Sequence, residues 1–240
     1  STCAVVGAAD RPSAHLRAPF FTAELEARAE DEDDPHIALQ AEFLRWMLSD
    51  GAGCALMRDK PREDGISFKV EWVQLVSFAY ELPTCMYMGA LRNEDGSLRS
   101  YKDAANLGEA VREGYFNLRQ DTKLLRHNIV PVTTTRMLER VEKDKGLTPD
   151  QVDWVLPHWS SDLFREPGIA AFYEKGYRVP LENVRSNLVE RGNIASASIY
   201  VMLDDLNRTG RVKPGDGILI VCPESGRFNT GYALLRAVGA

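Results

Sequence analysis

The stretch VDWVLPHWSSDLF, Val152–Phe164, joins a short apolar run to a single histidine, His158. The run VDWVL follows the turn-forming residues TPDQ, and this combination predicts a buried strand. His158 comes one proline after the run, at the carboxyl end of the predicted strand. Ligands and catalytic groups collect at such ends in open α/β sheets. At this point, packing within the core and a chemical role are both open for this histidine.

The length and composition are typical of a globular protein. The 240 residues are 44% hydrophobic and 27% charged, enough for one large domain or two modest ones. No apolar run approaches the roughly 18 residues of a membrane span, and a formal charge of −6 argues against broad nucleic-acid binding. Cys3, Cys54, Cys85 and Cys222 lack the CxxC spacing of a zinc site. We therefore expect a cytoplasmic protein with reduced, buried thiols, no metal, and no contact with a membrane or nucleic acid.

Predicted strands and helices alternate along the chain. TCAVVGA near the start and GILIVCP near the end predict buried strands, and the alternating SFKVEWVQLV and the closing FNTGYALLRAV predict further strands. Helices are predicted over AANLGEAVREGYF, from about Gln120 to Glu142 with an interruption at Pro131, and over GNIASASIYVMLDDLNRTG. Gly146 is the expected C-cap of the second helix. We also expect a solvated loop over the acidic Glu24–Asp34, a helix over Ile37–Leu48 and a turn at Asp50–Gly53. This alternation predicts an α/β fold.

Two later segments place small residues beside polar groups. Asn193 lies in ERGNIASASIY, where the neighbouring Gly, Ala and Ser allow close backbone approach at a helix start. Asn is also an ordinary N-cap residue, so this pattern alone leaves its role open. Gly226, in PESGRFNTGYALL, falls between two predicted strands, where a tight turn can aim a backbone N–H at a ligand.

Taken in order, these motifs resemble the C-terminal half of the thiolase-fold condensing enzymes, specifically the β-ketoacyl-ACP synthase III group. VDWVLPHWSS resembles the strand-and-histidine motif of that group, and RGNIASASI resembles its Gly-Asn motif. KPGDGILIV to GYALLR resembles its closing strands, and LSDGAGCALM its DGAG motif. The forms LPHWSS and PESGRFNTGYALL look most like the ketosynthases of dialkylresorcinol and flexirubin-type pathways. The resemblance implies a layered αβαβα fold, with residues 1–119 as an incomplete N-terminal half carrying inserted loops and residues 120–240 as a complete C-terminal half.

The resemblance also implies a site. His158 and Asn193 would be two members of a Cys-His-Asn triad in an acyltransferase, and Gly226 would donate its backbone N–H to the oxyanion of the cysteine-bound acyl group. The implied reaction is a Claisen-type condensation that joins two acyl thioesters in fatty-acid, aromatic-lipid or polyketide biosynthesis. An enolate oxygen that develops during this reaction needs fixed donors in a dry pocket. An imidazole N–H and a carboxamide N–H provide two donors, and neither group has to ionise.

The nucleophilic cysteine of the family has no match among these residues. In family order, its helix precedes the strand that TCAVVGA resembles, and neither Cys3, Cys54 nor Cys222 stands in its place. We therefore expect the chain to be a fragment. A separate chain carrying the missing part and a natural, non-catalytic partner subunit are alternatives. For the function, a further alternative is a thiolase-fold hydrolase or acyl-transferring relative that uses the same triad without condensing. As a fragment or as a natural subunit, the chain alone would be inactive.

The implied partners are thioesters of CoA or of acyl carrier protein, rather than a cofactor. Arg119, Lys123 and Arg126 have a spacing that places three cations on one helical face, which would suit docking of an acidic carrier; a solvated face is equally open. Trp159 either shapes an acyl tunnel or packs. Because TCAVVGA resembles a strand near the family's dimer interface, a homodimer is also expected.

Overall fold

A computed structural model of the chain describes residues 2–17 and 44–239. Within these ranges the strands are β1 (Cys3–Asp10), β2 (Gly51–Arg58), β3 (Ser67–Ser77), β4 (Met86–Tyr87), β5 (Ala90–Arg92), β6 (Leu98–Ser100), β7 (Arg119–Gln120), β8 (Trp154–Pro157), β9 (Gly217–Glu224) and β10 (Asn229–Val238). The α-helices are α1 (Leu107–Arg112), α2 (Thr122–Val130), α3 (Met137–Lys145), α4 (Arg165–Glu174), α5 (Leu188–Arg191) and α6 (Ser198–Arg208). Residues 44–47 are also helical. The predicted loop Glu24–Asp34 and most of the predicted helix Ile37–Leu48 lie outside the described residues.

The main sheet has the strand order β3-β10-β9-β8 and carries a separate core on each face. Successive residues of a strand point to opposite faces. Accordingly, Leu219 and Val221 of β9 pack in a core with residues of α3 and α4. Ile218 and Ile220 pack in a second core with residues of α6. This layering of helices on both faces confirms the predicted α/β class, and it confirms VDWVL, GILIVCP and FNTGYALLRAV as strand regions.

β3 belongs to the same sheet as the C-terminal strands. It pairs antiparallel with β10 from Ser67↔Val238 to Ser77↔Asn229, with an irregularity between Leu234 and Leu235. Its residues alternate between half-buried and exposed from Glu71 onwards, as the sequence pattern predicts. The pairing crosses the predicted division between residues 1–119 and 120–240, and that division stays a prediction.

β1 and β2 form a two-stranded antiparallel ribbon. The strand predicted at TCAVVGA is confirmed, but its predicted burial is wrong, because the exposed fraction of Val5 is 72%. The predicted burial of the thiols is wrong at two positions, since Cys3 and Cys54 lie exposed on this ribbon. Cys85 is buried, as predicted. The exposure of Val5, Cys3 and Cys54 has one cause. Among the described residues, β1 and β2 pair only with each other, so no larger sheet covers them.

The turn predicted at Asp50–Gly53 is wrong, because Gly51 is the first residue of strand β2. Its glycines serve close packing instead of a reversal of the chain. A Cβ atom on Gly51 would lie 2.5 Å from Cβ of Ile194, and one on Gly53 would lie 2.6 Å from Cβ of Tyr200. Strand β2 therefore lies directly against the segment that leads into α6 and against the first turn of that helix.

The predicted helix from Gln120 to Glu142 is present with its interruption. Asp121 is the N-cap of α2, accepting a hydrogen bond from the Leu124 N–H at 2.8 Å. Pro131, which has no N–H to donate, begins a π-helical segment that joins α2 to α3. Gly146 ends α3 with φ of 65°, which confirms the predicted C-cap. No helix within the described ranges is long and apolar enough to cross a lipid bilayer.

Candidate active site

His158 directly follows β8, where its backbone N–H donates to the Val221 carbonyl of β9 at 2.8 Å. The side chain is buried, with an exposed fraction of 9% for the residue. Burial lowers the pKa of His158 to about 4, because the imidazolium loses its hydration; the negative charge of Asp10 opposes this shift. The imidazole is therefore neutral at physiological pH, with one ring nitrogen able to donate and the other able to accept.

Trp159 packs against α4. A Cβ atom on Gly168 would lie 2.3 Å from Cη2 of the Trp159 ring, so this helix position has room only for glycine unless the ring moves. Trp159 also lines one side of a pocket of about 250 Å³, together with Arg165 and several of the residues between Leu181 and Glu190. The residue thus packs and borders a cavity at the same time.

Asn193 lies in a turn that is held on both sides. Gly192 has φ of 73°, and its Cα approaches Ser49 so closely that a Cβ there would lie 2.4 Å from the Ser49 Oγ. The Ser49 N–H donates to the Asn193 carbonyl at 2.8 Å. Within the turn, Asn193 Oδ1 accepts from the Ala195 N–H at 3.1 Å. Because α6 begins only at Ser198, Asn193 is not the N-cap of that helix.

The structure brings Asn193 to the segment that carries His158. Asn193 Nδ2 donates to the Ser160 carbonyl at 3.5 Å, a long hydrogen bond, and Ser160 is two residues after His158. Both polar side chains are buried, with 3% of Asn193 exposed. The sequence could indicate each residue separately, whereas the contact between their segments follows from the fold.

Asp10, at the end of β1, is a site residue that sequence reasoning missed. Its Oδ2 accepts hydrogen bonds from the backbone N–H of Ser196, at 3.0 Å, and from the Ser196 hydroxyl. It is also the charged group whose electrostatic effect acts on His158. No sequence signal pairs two residues so far apart along the chain.

The predicted tight turn at Gly226 is present between β9 and β10. The Gly226 carbonyl accepts from the Cys85 N–H at 2.8 Å, and the buried Phe228 holds φ of 54°. The Gly226 N–H, however, donates to the carboxylate of Glu224, which also accepts from Arg227 N–H at 3.1 Å. The donor proposed for an oxyanion is therefore engaged within the turn. Its oxyanion role stays a prediction, and Glu224 is a second residue that sequence reasoning missed.

Two of the four cysteines are poor nucleophiles. Cys85 is fully buried, and its thiol donates to the Asp121 carbonyl at 3.3 Å. Burial, reinforced by the negative charge of Asp121, raises the pKa of Cys85 to about 12. Burial also raises the pKa of Cys222. Across the described part of the chain, no three His, Cys, Asp or Glu side chains group as metal ligands would.

The three predicted carrier-docking cations do not share a helical face. Arg119 lies in β7, before α2 begins, and it is buried with a guanidinium N–H donating to the Gly114 carbonyl at 3.3 Å. The i, i+4 spacing fails because the Asp121 cap starts the helix only at Thr122. Lys123 and Arg126 do lie on α2, and both are exposed.

Comparison with solved structures gives the class of the fold. The chain aligns over 98% of its length with a 3-oxoacyl-(acyl carrier protein) synthase III from Xanthomonas oryzae, at a TM-score of 0.64 and 20% identity. It aligns over 99% with the corresponding synthase from Thermus thermophilus, at a TM-score of 0.61 and 25% identity. These alignments cover 57% and 60% of the two solved chains. The protein thus has the thiolase-like fold of the condensing enzymes.

Comparisons of sequence show which proteins of this fold the chain resembles. Residues 143–236 match the family described as 3-oxoacyl-(acyl-carrier-protein) synthase III C terminal. A curated β-ketoacyl-(acyl-carrier-protein) synthase III from Paracoccus denitrificans (strain Pd 1222) is 34% identical over 150 residues, which are 60% of this chain and 42% of the relative. One from Nitratidesulfovibrio vulgaris (strain DP4) is 28% identical over 207 residues, 83% of this chain and 58% of the relative. The C-terminal part of the chain is therefore similar in sequence to β-ketoacyl-ACP synthases III, and the chain spans about half the length of these curated relatives.

Proposed function

We propose that His158 and Asn193 belong to the active site of an acyltransferase. This enzyme would form carbon–carbon bonds between acyl thioesters by Claisen-type condensation. The relatives named above are β-ketoacyl-ACP synthases III. Those names include acyl carrier protein, and the proposed substrates are thioesters of acyl carrier protein or of CoA. The proposed products serve fatty-acid, aromatic-lipid or polyketide biosynthesis.

The observation that carries this proposal is the neutral, buried state of His158. An imidazole with a pKa of about 4 is uncharged at physiological pH, so it can offer an N–H to an enolate oxygen without losing a proton. Asn193 is buried beside the same segment, and among the described residues its Nδ2 has the long bond to the Ser160 carbonyl as its one hydrogen bond. A developing oxyanion could therefore take over this donor at little cost.

The test is condensation by the natural gene product that contains these residues, with two isotopically labelled acyl thioesters. His158→Ala and Asn193→Ala should each lower kcat by about 100-fold or more, since one such donor contributes about 10²–10³ in kcat. His127→Ala is the matched control, because this histidine is exposed and its ring Nδ1 bonds to the Lys123 carbonyl of its own helix. Undiminished condensation in either site variant, with native circular dichroism, would refute the proposal. Hydrolysis of the thioester without a joined product would favour the hydrolase alternative.

The Gly226 turn favours a second candidate, a non-catalytic subunit that completes the pocket of a partner ketosynthase. Its N–H is engaged by Glu224, and Cys85, which donates to the carbonyl of the same glycine, is a poor nucleophile. If this candidate is correct, the gene product alone binds acyl thioesters without condensing them. Mixing it with a cysteine-bearing ketosynthase partner would then give condensation that persists when His158 is replaced by Ala in this subunit.

We propose that Lys123 and Arg126 help to dock the acidic acyl carrier protein. Both are exposed on α2, whereas the buried Arg119 is not part of the docking proposal. Lys123→Glu and Arg126→Glu should weaken carrier binding and reduce its salt dependence, while leaving turnover with the CoA thioester unchanged. Lys102→Glu, on the 3₁₀-helix after β6, is a matched exposed control. Equal effects of the reversals on both thioesters would contradict carrier docking.

We further propose that the β1–β2 ribbon is covered in the working assembly, by a second copy of this chain or by a companion polypeptide. Val5 and Leu56 are cross-strand partners, and their exposed fractions are 72% and 64%. A two-stranded ribbon is marginal in water without such cover. Light scattering should report a dimer or hetero-complex that Val5→Lys and Leu56→Lys dissociate. Wild-type protein that stays at the 26.8 kDa of one chain at every concentration, without a partner, would contradict this.

A further inference from the structure

The turn that carries Asn193 has a strained backbone whose shape is imposed from outside. Gly192 has φ of 73° and the non-glycine Ala195 has φ of 47°. A non-glycine residue in the left-handed region persists where surrounding contacts determine its conformation. On one side, Ser49 and Gly51 pack against the turn at Gly192 and Ile194. These contacts hold the residues before and directly after Asn193.

On the far side of the turn, the restraint is the carboxylate of Asp10. Its Oδ2 accepts from the Ser196 N–H at 3.0 Å and from the Ser196 hydroxyl. The bonds tie the end of β1 to the residue directly after the strained Ala195. Asp10 is half-buried, so its two bonds face less competition from water than those of a fully exposed carboxylate.

We propose that Asp10 is a positioning residue that fixes the Asn193 side chain through Ser196. Asn193 Oδ1 accepts from the Ala195 N–H at 3.1 Å, so the orientation of that peptide sets where the carboxamide points. Holding Ser196 fixes the Ala195–Ser196 peptide, which keeps Ala195 in its left-handed conformation. The remaining donor, Nδ2, is thereby directed towards Ser160 and the His158 segment. Asp10 acts on Asn193 through Ser196, and separately its negative charge acts on His158.

The test for positioning uses nuclear magnetic resonance of the gene product, with the Asn193 side-chain amide assigned by its loss in Asn193→Ala. Asp10→Ala should shift this resonance and raise the exchange rate of the Ser196 amide about tenfold, the factor for one lost hydrogen bond. Asp10→Asn keeps a side-chain oxygen that can accept from Ser196, and should leave the Asn193 resonance near that of the wild type. Ser196→Ala removes the hydroxyl bond only, and should shift the resonance in the same direction by less.

Asp95→Ala is the matched control. Asp95 Oδ1 accepts from the Ser97 N–H at 2.9 Å and from its hydroxyl at 2.6 Å, in the hairpin between β5 and β6. This substitution removes an equivalent Asp–Ser pair and should leave the Asn193 resonance unchanged. An unchanged Asn193 resonance in folded Asp10→Ala would overturn the proposal. If Asp10→Ala does not fold, an unchanged resonance in Ser196→Ala overturns it instead.

The catalytic consequence rests on the proposed condensing function. With that function, Asp10→Ala should lower kcat about 10- to 100-fold with little change in KM, since misplacing a catalytic group by about 1 Å has such an effect. Wild-type kcat in an Asp10→Ala protein with a displaced Asn193 would overturn the catalytic part. If the wild type does not condense acyl thioesters, the proposed function fails. The resonance measurements still decide whether Asp10 positions Asn193.

Discussion

Gly168→Ala tests whether the contact between α4 and Trp159 limits the space beside the candidate site. The added Cβ would lie 2.3 Å from Cη2 and 2.5 Å from Cζ3 of the indole. To regain ordinary contact at 3.4 Å, the ring or the helix has to move by about 1 Å. Trp159 is buried, with 6% exposed, so the ring cannot simply swing into solvent.

Two opposing effects set the magnitude of this change. Overpacking a well-packed site costs about 1–3 kcal/mol. Replacing glycine by alanine within a helix contributes about 1 kcal/mol of stability in return. The expected net loss is about 1 kcal/mol in the free energy of unfolding, or a midpoint about 2–4 °C lower for a chain of this size. Because Trp159 follows His158 directly, we also expect its displacement to alter the His158 ring environment.

The assay is urea denaturation followed by circular dichroism, with Gly108→Ala as the matched control. Gly108 is also helical, in α1, but a Cβ there would meet nothing closer than the Asn106 Oδ1 at 3.1 Å. The control should therefore be close to neutral, because the Asn106 side chain has to shift by only a few tenths of an ångström. If Gly168→Ala proves as stable as Gly108→Ala, and leaves the tryptophan fluorescence unchanged, the inferred packing of Trp159 on α4 is wrong.

Three further predictions follow from the same geometry. The folded-state pKa of His158, about 4, lies below its ordinary 6.5, so its contribution to stability is complete above pH 6.5 and is lost as the pH falls towards 4. The loss of stability amounts to up to about 3 kcal/mol. His158→Gln should flatten the plot of unfolding free energy against pH in this window. An unchanged slope would show that His158 does not cause the pH dependence. Glu224→Ala should speed hydrogen exchange of the Gly226 amide about tenfold, while Glu224→Gln, which keeps an acceptor, should not; equal exchange in both variants would contradict the bond. Gly53→Ala should lower the unfolding midpoint, because its Cβ would lie 2.6 Å from Cβ of Tyr200; an unchanged midpoint would show that the ribbon can move away.

Local patterns in the sequence predict most of the sheet and the place of the histidine. Apolar runs bounded by turns mark β8, β9 and β10, and a strand end followed by His158 predicts a polar group at the sheet edge. The C-cap at Gly146 is equally local. Each of these signals depends on residues that are neighbours in the sequence, so no knowledge of the fold is needed.

Sequence-based predictions fail at two kinds of position. In the first kind, the residue that determines the local structure is distant in sequence; in the second, a local signal such as an N-cap is overlooked. Gly51 looks like a turn residue until Ile194 is known to pack against it. In the sequence, Asp10 is only a carboxylate near the end of a predicted strand, and its hydrogen bond from the Ser196 N–H is visible only in the fold. The failed spacing at Arg119 is different, because Asp121 is a recognisable N-cap that places the helix start after it. The position of this cap separates Arg119 from Lys123 and Arg126, which follow it on α2.

Two parts of the chain, distant in sequence, form the candidate site. The family match at residues 143–236 includes His158, Asn193 and Gly226. The groups that hold the Asn193 turn, however, come from the first part of the chain: the carboxylate of Asp10 and the Ser49 N–H. A polypeptide limited to the matched region would therefore keep the polar side chains but lose two restraints on a strained turn. The site therefore depends on contact between the β1–β2 ribbon and the segment before α6. Gly51 of β2 permits this contact, because a side chain there would collide with Ile194.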